Sequence, residues 1–161
     1  MHLDLSGKTA LVTGGSRGLG KAVARRLAGS GAQVAILARD PATLAAATEE
    51  IEAAGGRRAL GITCDLAIAE EIERQVQRVL AEFGRIDILV NNAGSSYRRP
   101  FLELTRADLG ADMDLKLFAA VHIAQLVVPG MQGQRWGRII NVVSINGKAP
   151  KAASAPTTLT R

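Results

Sequence analysis

The chain has 161 residues and a formal net charge of +5, with 47% hydrophobic and 22% charged residues and a single cysteine. That length fits one domain with a sizeable core, while the lone Cys64 excludes an intrachain disulfide and any multi-cysteine metal site, so no metal is expected. No apolar run approaches the ~20 residues of a membrane span.

The positive charge raises the question of nucleic acid. Aromatic residues make up only 3% of the chain, and the arginines are scattered in pairs (Arg25-Arg26, Arg57-Arg58, Arg98-Arg99). Stacking platforms beside the charge are missing, so no nucleic-acid partner is expected. The opening Met1-His2-Leu3-Asp4-Leu5-Ser6 lacks a basic segment and an apolar segment of a secretory signal, which suits a cytoplasmic, reducing location.

Taken in order, the chain alternates strand and helix. Ala10-Leu11-Val12, edged by Thr9 and Thr13, is a first strand. It ends in Gly14-Gly15-Ser16-Arg17-Gly18-Leu19-Gly20 and leads into a helix from about Gly18 to Ser30, with Leu19, Val23 and Leu27 on one face and Gly31 as its stop. Residues 33–38 form a second buried strand. Asp40 caps a helix with Pro41 at its first position, Leu44 and Ile51 facing inward and Gly55-Gly56 at its end. Arg58 to Thr63 reads as the third strand. Ile68, Ile72, Val76, Val79 and Phe83 form the apolar stripe of a third helix stopped by Gly84, and Ile86 to Asn91 is the fourth strand. Thr105 and Asp108 form a capping pair for a long helix with Leu109, Met113, Leu117, Val121 and Ala124 on its inner face, ending near Pro129-Gly130. Arg138 to Val143 is the fifth strand.

Near-continuous apolar strands alternating with helices predict an α/β fold: a Rossmann-like, doubly wound parallel sheet covered on both faces. The glycine turn after strand one favours the order 3-2-1-4-5, with ligands at the carboxyl ends of strands one and four. Residues 1–161 read as a single dinucleotide-binding domain.

The first turn carries the strongest signal. Gly14 allows a tight bend, Gly18 admits a ligand close to the backbone, and Gly20 lets helix pack against strand. The helix start offers unpaired N–H groups and a positive dipole end, a place for a pyrophosphate. Ser16, Arg17 and Leu19 complete this loop. Strand two ends at a neutral position, Ala38, followed by Arg39, where an acid usually holds a ribose 2′-hydroxyl. With Arg17 nearby, two guanidinium groups suit a 2′-phosphate, favouring NADP over NAD. Asp40 is the competing acid, explained by capping. Strand three ends Cys64-Asp65-Leu66, where Asp65 serves either a ligand or the following helix as its cap. Strand four ends Asn91-Asn92-Ala93-Gly94, whose small residues leave room for a ligand against the backbone.

The spacing Thr13-Gly14-x-x-x-Gly18-x-Gly20 resembles the cofactor loop of the short-chain dehydrogenase/reductase family, and Asn91-Asn92-Ala93-Gly94 resembles its second hallmark. The resemblance spans essentially the whole chain. It implies that Asp65, with its neighbours Cys64 and Leu66, meets the adenine, and that Asn91, Ala93 and Gly94 line the cofactor. It also implies a small carbonyl or alcohol substrate, a homo-oligomer at full length, and catalysis by Asn, Ser, Tyr and Lys. Ser144 matches the serine, and Asp114 stands at the asparagine position. At the Tyr-x-x-x-Lys position stand Thr157 and Arg161. An aliphatic hydroxyl does not titrate where a phenol does, and arginine is not a lysine equivalent. Tyr97, the only tyrosine, is a candidate substitute proton donor or a pocket-wall residue. His2, His122, Lys148 and Lys151 suggest no role. The family continues beyond the position of Arg161, so the chain is expected to be a piece of a longer polypeptide or a truncated relative. Two functions are implied: an NADP-dependent oxidoreductase, or a non-catalytic dinucleotide-binding relative acting as sensor or partner subunit.

Overall fold

The computed structural model describes residues 3–94 and 100–149, together with Thr158 and Thr160. Five parallel strands, β1 (Thr9–Thr13), β2 (Gln33–Ala38), β3 (Leu60–Thr63), β4 (Ile88–Asn91) and β5 (Arg138–Asn141), lie in the order β3-β2-β1-β4-β5. The anticipated order is therefore the observed one. Helices α1 (Gly18–Gly29), α2 (Pro41–Gly55), α3 (Ala69–Phe83), α4 (Arg106–Met113) and α5 (Ala119–Gly133) connect them. One core layer packs α3 and α5 against Leu11, Leu37, Ile62 and Leu89. The other packs α1 and α2 against Val12, Val34, Ile36 and Val90. Alternate strand residues thus feed opposite layers, as the pleat requires.

Local chemistry sets most boundaries. The Asp40 side chain accepts from the Thr43 amide at 2.7 Å, with Pro41 at the first helical position and Gly56 closing α2 in the left-handed conformation. Thr105 and Asp108 form a reciprocal capping box at α4. At the opposite end of the sheet from the glycine turn, the fully buried Asp87 accepts from the Thr9 amide at 2.9 Å and pairs with Arg85. Lys8 and Arg138 flank the Trp136 ring there.

Several boundaries and faces differ from the sequence expectation. The buried residues of α1 are Gly20, Ala24 and Ala28, while Leu19 is 59% exposed. Small residues face the sheet because α1 lies close against it, and Val23 and Leu27 pack only at the margin. Ile68 precedes α3 as its N-cap and is exposed. Between α4 and α5 lies a π-helical turn, Asp114–Phe118. The wider turn shifts the phase of α5, so Ala119, Ile123, Val127 and Met131 face the core and Leu117 and Val121 face outward. Pro129 sits inside α5, on its exposed side, and the helix runs on to Gly133. β3, β4 and β5 are each shorter than anticipated.

Candidate functional site: a nucleotide groove at the strand ends

The carboxyl ends of β1, β2 and β4 meet in one place. Gly14 has φ +65°, and its amide donates to the Leu37 carbonyl at 2.8 Å, turning the chain sharply off β1. A Cβ at Gly14 would lie 3.0 Å from the Ala93 Cα. One at Gly20 would overlap the Gly14 carbonyl and the Asn92 amide. These glycines are required by close approach.

Arg17, with extended backbone, is the N-cap of α1. Its side chain makes no capping hydrogen bond, and the first turn carries no acid. Among the described residues no side chain caps the leading amides of α1, which lie at the positive end of the helix dipole. The groove above them has a volume of about 590 Å³. It is lined by Gly14, Ser16, Arg17 and Leu19 of the first turn, Arg39 after β2, Cys64 and Leu66 after β3, and Ala93 and Gly94 after β4. Leu37, Ala38, Asn92, Leu115 and Val142 also line it, and sequence reasoning does not single these out as ligand contacts. The tandem asparagine is the available signal for Asn92.

Asp40 and Thr43 also line the groove. The Thr43 amide and hydroxyl hold the Asp40 carboxyl below its ordinary range, with Arg17 adding a smaller pull. Asp40 is thus committed to its helix cap. Cys64 is buried, and loss of hydration, with Glu71 and Asp65 nearby, pushes its thiol up to about 11.

Asp65 does not line the groove. Its carboxylate accepts from the Ala67 amide at 3.0 Å, while its own amide donates to Glu71 at 2.7 Å. It shapes the turn ahead of α3, whose N-cap is Ile68. Gly18, in the left-handed region with open space around it, and Gly20, packed under the turn, shape the loop without lining the groove.

A second cavity of about 550 Å³ shares Leu66, Ala93, Leu115 and Val142 with the groove and continues it past β4. Asn91 lines this cavity, and its side-chain amide donates to Asn141 at 2.8 Å across the β4–β5 pair. Ser144 follows β5 and accepts from the Asn146 amide at 3.2 Å, opening the short turn Ile145–Gly147. Asp114 begins the π turn and is exposed, lining neither cavity. Thr157, Arg161, Tyr97, Lys151 and His2 lie outside the described residues. His122 lies 3.1 Å from Glu73, linking α5 to α3.

Amides at the start of α1 that no described side chain caps, a turn that only glycine fits and a long groove over the sheet switch point fit a dinucleotide. The fold and site define a dinucleotide-binding protein of the doubly wound class. A sequence model described as short chain dehydrogenase matches residues 8–156. The chain belongs to the short-chain dehydrogenase family. It is 37% identical over 144 residues to the ketoacyl reductase HetN of Nostoc sp., covering 89% of this chain and 50% of the relative. A metagenomic short-chain oxidoreductase solved in complex with NADP superposes with a TM-score of 0.91 at 40% identity, covering 97% of this chain and 71% of that one. An NAD⁺-bound xylitol dehydrogenase superposes with a TM-score of 0.90 at 30% identity, over 96% of this chain and 60% of that one. The chain thus spans about half the length of the curated relatives it matches.

Proposed function

We propose that this chain is the cofactor-binding part of an NADP-dependent oxidoreductase acting on a small carbonyl or alcohol substrate. When bound, the nicotinamide cofactor supplies the hydride chemistry. The residues of the chain bind and orient. The α1 amides and Ser16 would take the pyrophosphate, Arg17 and Arg39 the 2′-phosphate, and Ala93 and Gly94 the backbone-hugging centre of the dinucleotide. Cys64 and Leu66 would border the adenine, and the Ser144 hydroxyl would donate to a substrate oxygen. Asp114, Thr157 and Arg161 are carried into this reading by family position, as are Asp65 and Asn91.

The observation that carries the proposal is the uncapped start of α1 with Arg17 and Arg39 both lining the same groove. Related structures hold either NADP or NAD⁺, so the choice rests on those arginines. A small substrate is consistent with a cavity of about 550 Å³ beside the groove. Outward-facing Leu117, Phe118 and Val121 support a homo-oligomer at full length. A cytoplasmic setting belongs to the same reading, and no described helix is long and apolar enough to cross a membrane.

A second reading is favoured by one observation. Thr157 and Arg161 stand where the family has tyrosine and lysine, and neither titrates near neutrality. In that reading the chain binds a dinucleotide without turning it over. Titration with NADPH, followed by a panel of carbonyl compounds monitored for NADPH oxidation, separates the two. Oxidation supports the first reading, binding without oxidation over the panel supports the second, and absence of binding contradicts both.

A further inference from the structure

Lys116 and Asp112 form an ion pair that the cofactor groove does not use. They lie four residues apart on the inner side of the α4–π segment, with Lys116 Nζ 2.5 Å from Asp112 Oδ2. Their side chains are 2% and 5% exposed. An exposed pair at this spacing contributes little. A sealed pair carries a large desolvation penalty and is tolerated when further hydrogen bonds complete it.

Here the completing group comes from far along the chain. Thr160 Oγ1 donates to the same Asp112 oxygen at 2.6 Å and lies 3.4 Å from Lys116 Nζ. Lys116 and Thr160 both line the cavity that continues the cofactor groove. A helix needs no buried charge to form at this point, and apolar residues of similar volume would fill the space at no greater cost. What the triad adds is a directional link between Thr160 and the helical rod on either side of Asp114.

We propose that Asp112, Lys116 and Thr160 are positioning residues: a buried clamp that holds Thr160 on the α4–π rod beside the cavity. The clamp thereby fixes the chain at Thr160, one residue before Arg161, which family position carries into the oxidoreductase reading. Its functional meaning rests on the oxidoreductase reading; its existence does not. The three groups act together because one carboxylate oxygen accepts from both donors. Removing either charge alone leaves the other buried and unpaired, whereas removing the Thr160 hydroxyl leaves the ion pair intact and cuts the long-range link to Asp112.

The test compares wild type with Thr160→Val, Thr160→Ser and the double variant Asp112→Leu with Lys116→Met. Thermal unfolding, NADPH binding, steady-state turnover and amide hydrogen exchange of the C-terminal peptide are measured for each. Thr160→Val and the double variant raise exchange in that peptide about tenfold or more, the loss expected for a hydrogen bond to a charged acceptor. Thr160→Ser restores wild-type exchange to within about twofold, on the same basis. Tm and NADPH affinity hold for both threonine variants, while kcat falls in Thr160→Val without a matching rise in KM. Exchange in Thr160→Val equal to wild type overturns the clamp. Raised exchange with unchanged kcat overturns its positioning role. Wild-type protein that does not oxidise NADPH, whether or not it binds it, sinks the oxidoreductase reading instead, and the exchange result then decides the clamp alone.

Discussion

Thr13 and Asn92 hold the carboxyl ends of β1 and β4 together. The Thr13 hydroxyl accepts from the Asn92 amide at 3.0 Å and from the Ala93 amide at 3.0 Å, and the Asn92 side chain donates back to the Thr13 carbonyl at 3.0 Å and the Gly14 carbonyl at 3.2 Å. The turn that makes the groove floor is thereby tied to the small residues that make its opposite wall. Thr13→Val removes the acceptor for two backbone donors in a largely sealed position. The expected loss is about 1–3 kcal/mol, read by denaturant unfolding, with weakened NADPH binding. Thr13→Ser retains the acceptor and is expected near wild type.

Two glycines of the same turn predict opposite outcomes on alanine substitution. At Gly20 a Cβ would overlap the Gly14 carbonyl and the Asn92 side chain, so Gly20→Ala shifts the turn and removes cofactor binding. At Gly18 the space is open and only φ +54° opposes a side chain. Gly18→Ala is expected to cost about 1 kcal/mol and to leave a folded, weakened binder. Calorimetric titration with NADPH of both variants checks the order.

Cys64 is fully buried, and loss of hydration raises its thiol to about 11. A thiol-directed reagent at neutral pH is expected to leave the native protein unmodified and to label it stoichiometrically in denaturant. Rapid labelling of native protein at wild-type Tm would contradict the burial assigned to β3's end.

Acid sensitivity arises at Asp40. Its folded-state carboxyl lies below the ordinary 3.8 because of the Thr43 amide and hydroxyl. Such a group stabilises the fold above its unfolded value, and that contribution is lost as pH falls through the folded value. Asp40→Asn keeps a capping acceptor but no longer titrates. Its Tm is expected to fall less steeply than wild type as pH drops below 3.8, measured by thermal unfolding across that range.

Much of this fold was legible because its signals are local. Pro41, Gly56 and Gly84 mark helix ends by their backbone geometry, and the strand order comes from a glycine turn after the first strand. The inner face of α4–α5 was not legible. A single π turn at Asp114–Phe118 adds no residue type that betrays it, yet it displaces the whole phase from Leu117 and Val121 to Ala119 and Ile123. Asp65 is ambiguous for a related reason: an acid after a strand caps turns and binds ligands equally well, and its bond from the Ala67 amide, with its own amide donating to Glu71, is visible only in three dimensions. The clamp of Asp112, Lys116 and Thr160 was missed because its third member lies 44 residues from the nearer of the other two. Arg17 in the first turn and Arg39 after β2 are local in sequence, and both line the groove.

The central claim is that Arg17 and Arg39 turn a general dinucleotide groove into one for the 2′-phosphorylated cofactor. The direct measurement is the Kd of NADPH and of NADH for wild type and for Arg39→Ala. Wild type is expected to bind NADPH at least about tenfold more tightly, the scale of one charge-assisted contact. Arg39→Ala is expected to lose most of that preference while its affinity for NADH stays unchanged. Equal affinities in the wild type, or a preference that survives Arg39→Ala undiminished, would contradict the account.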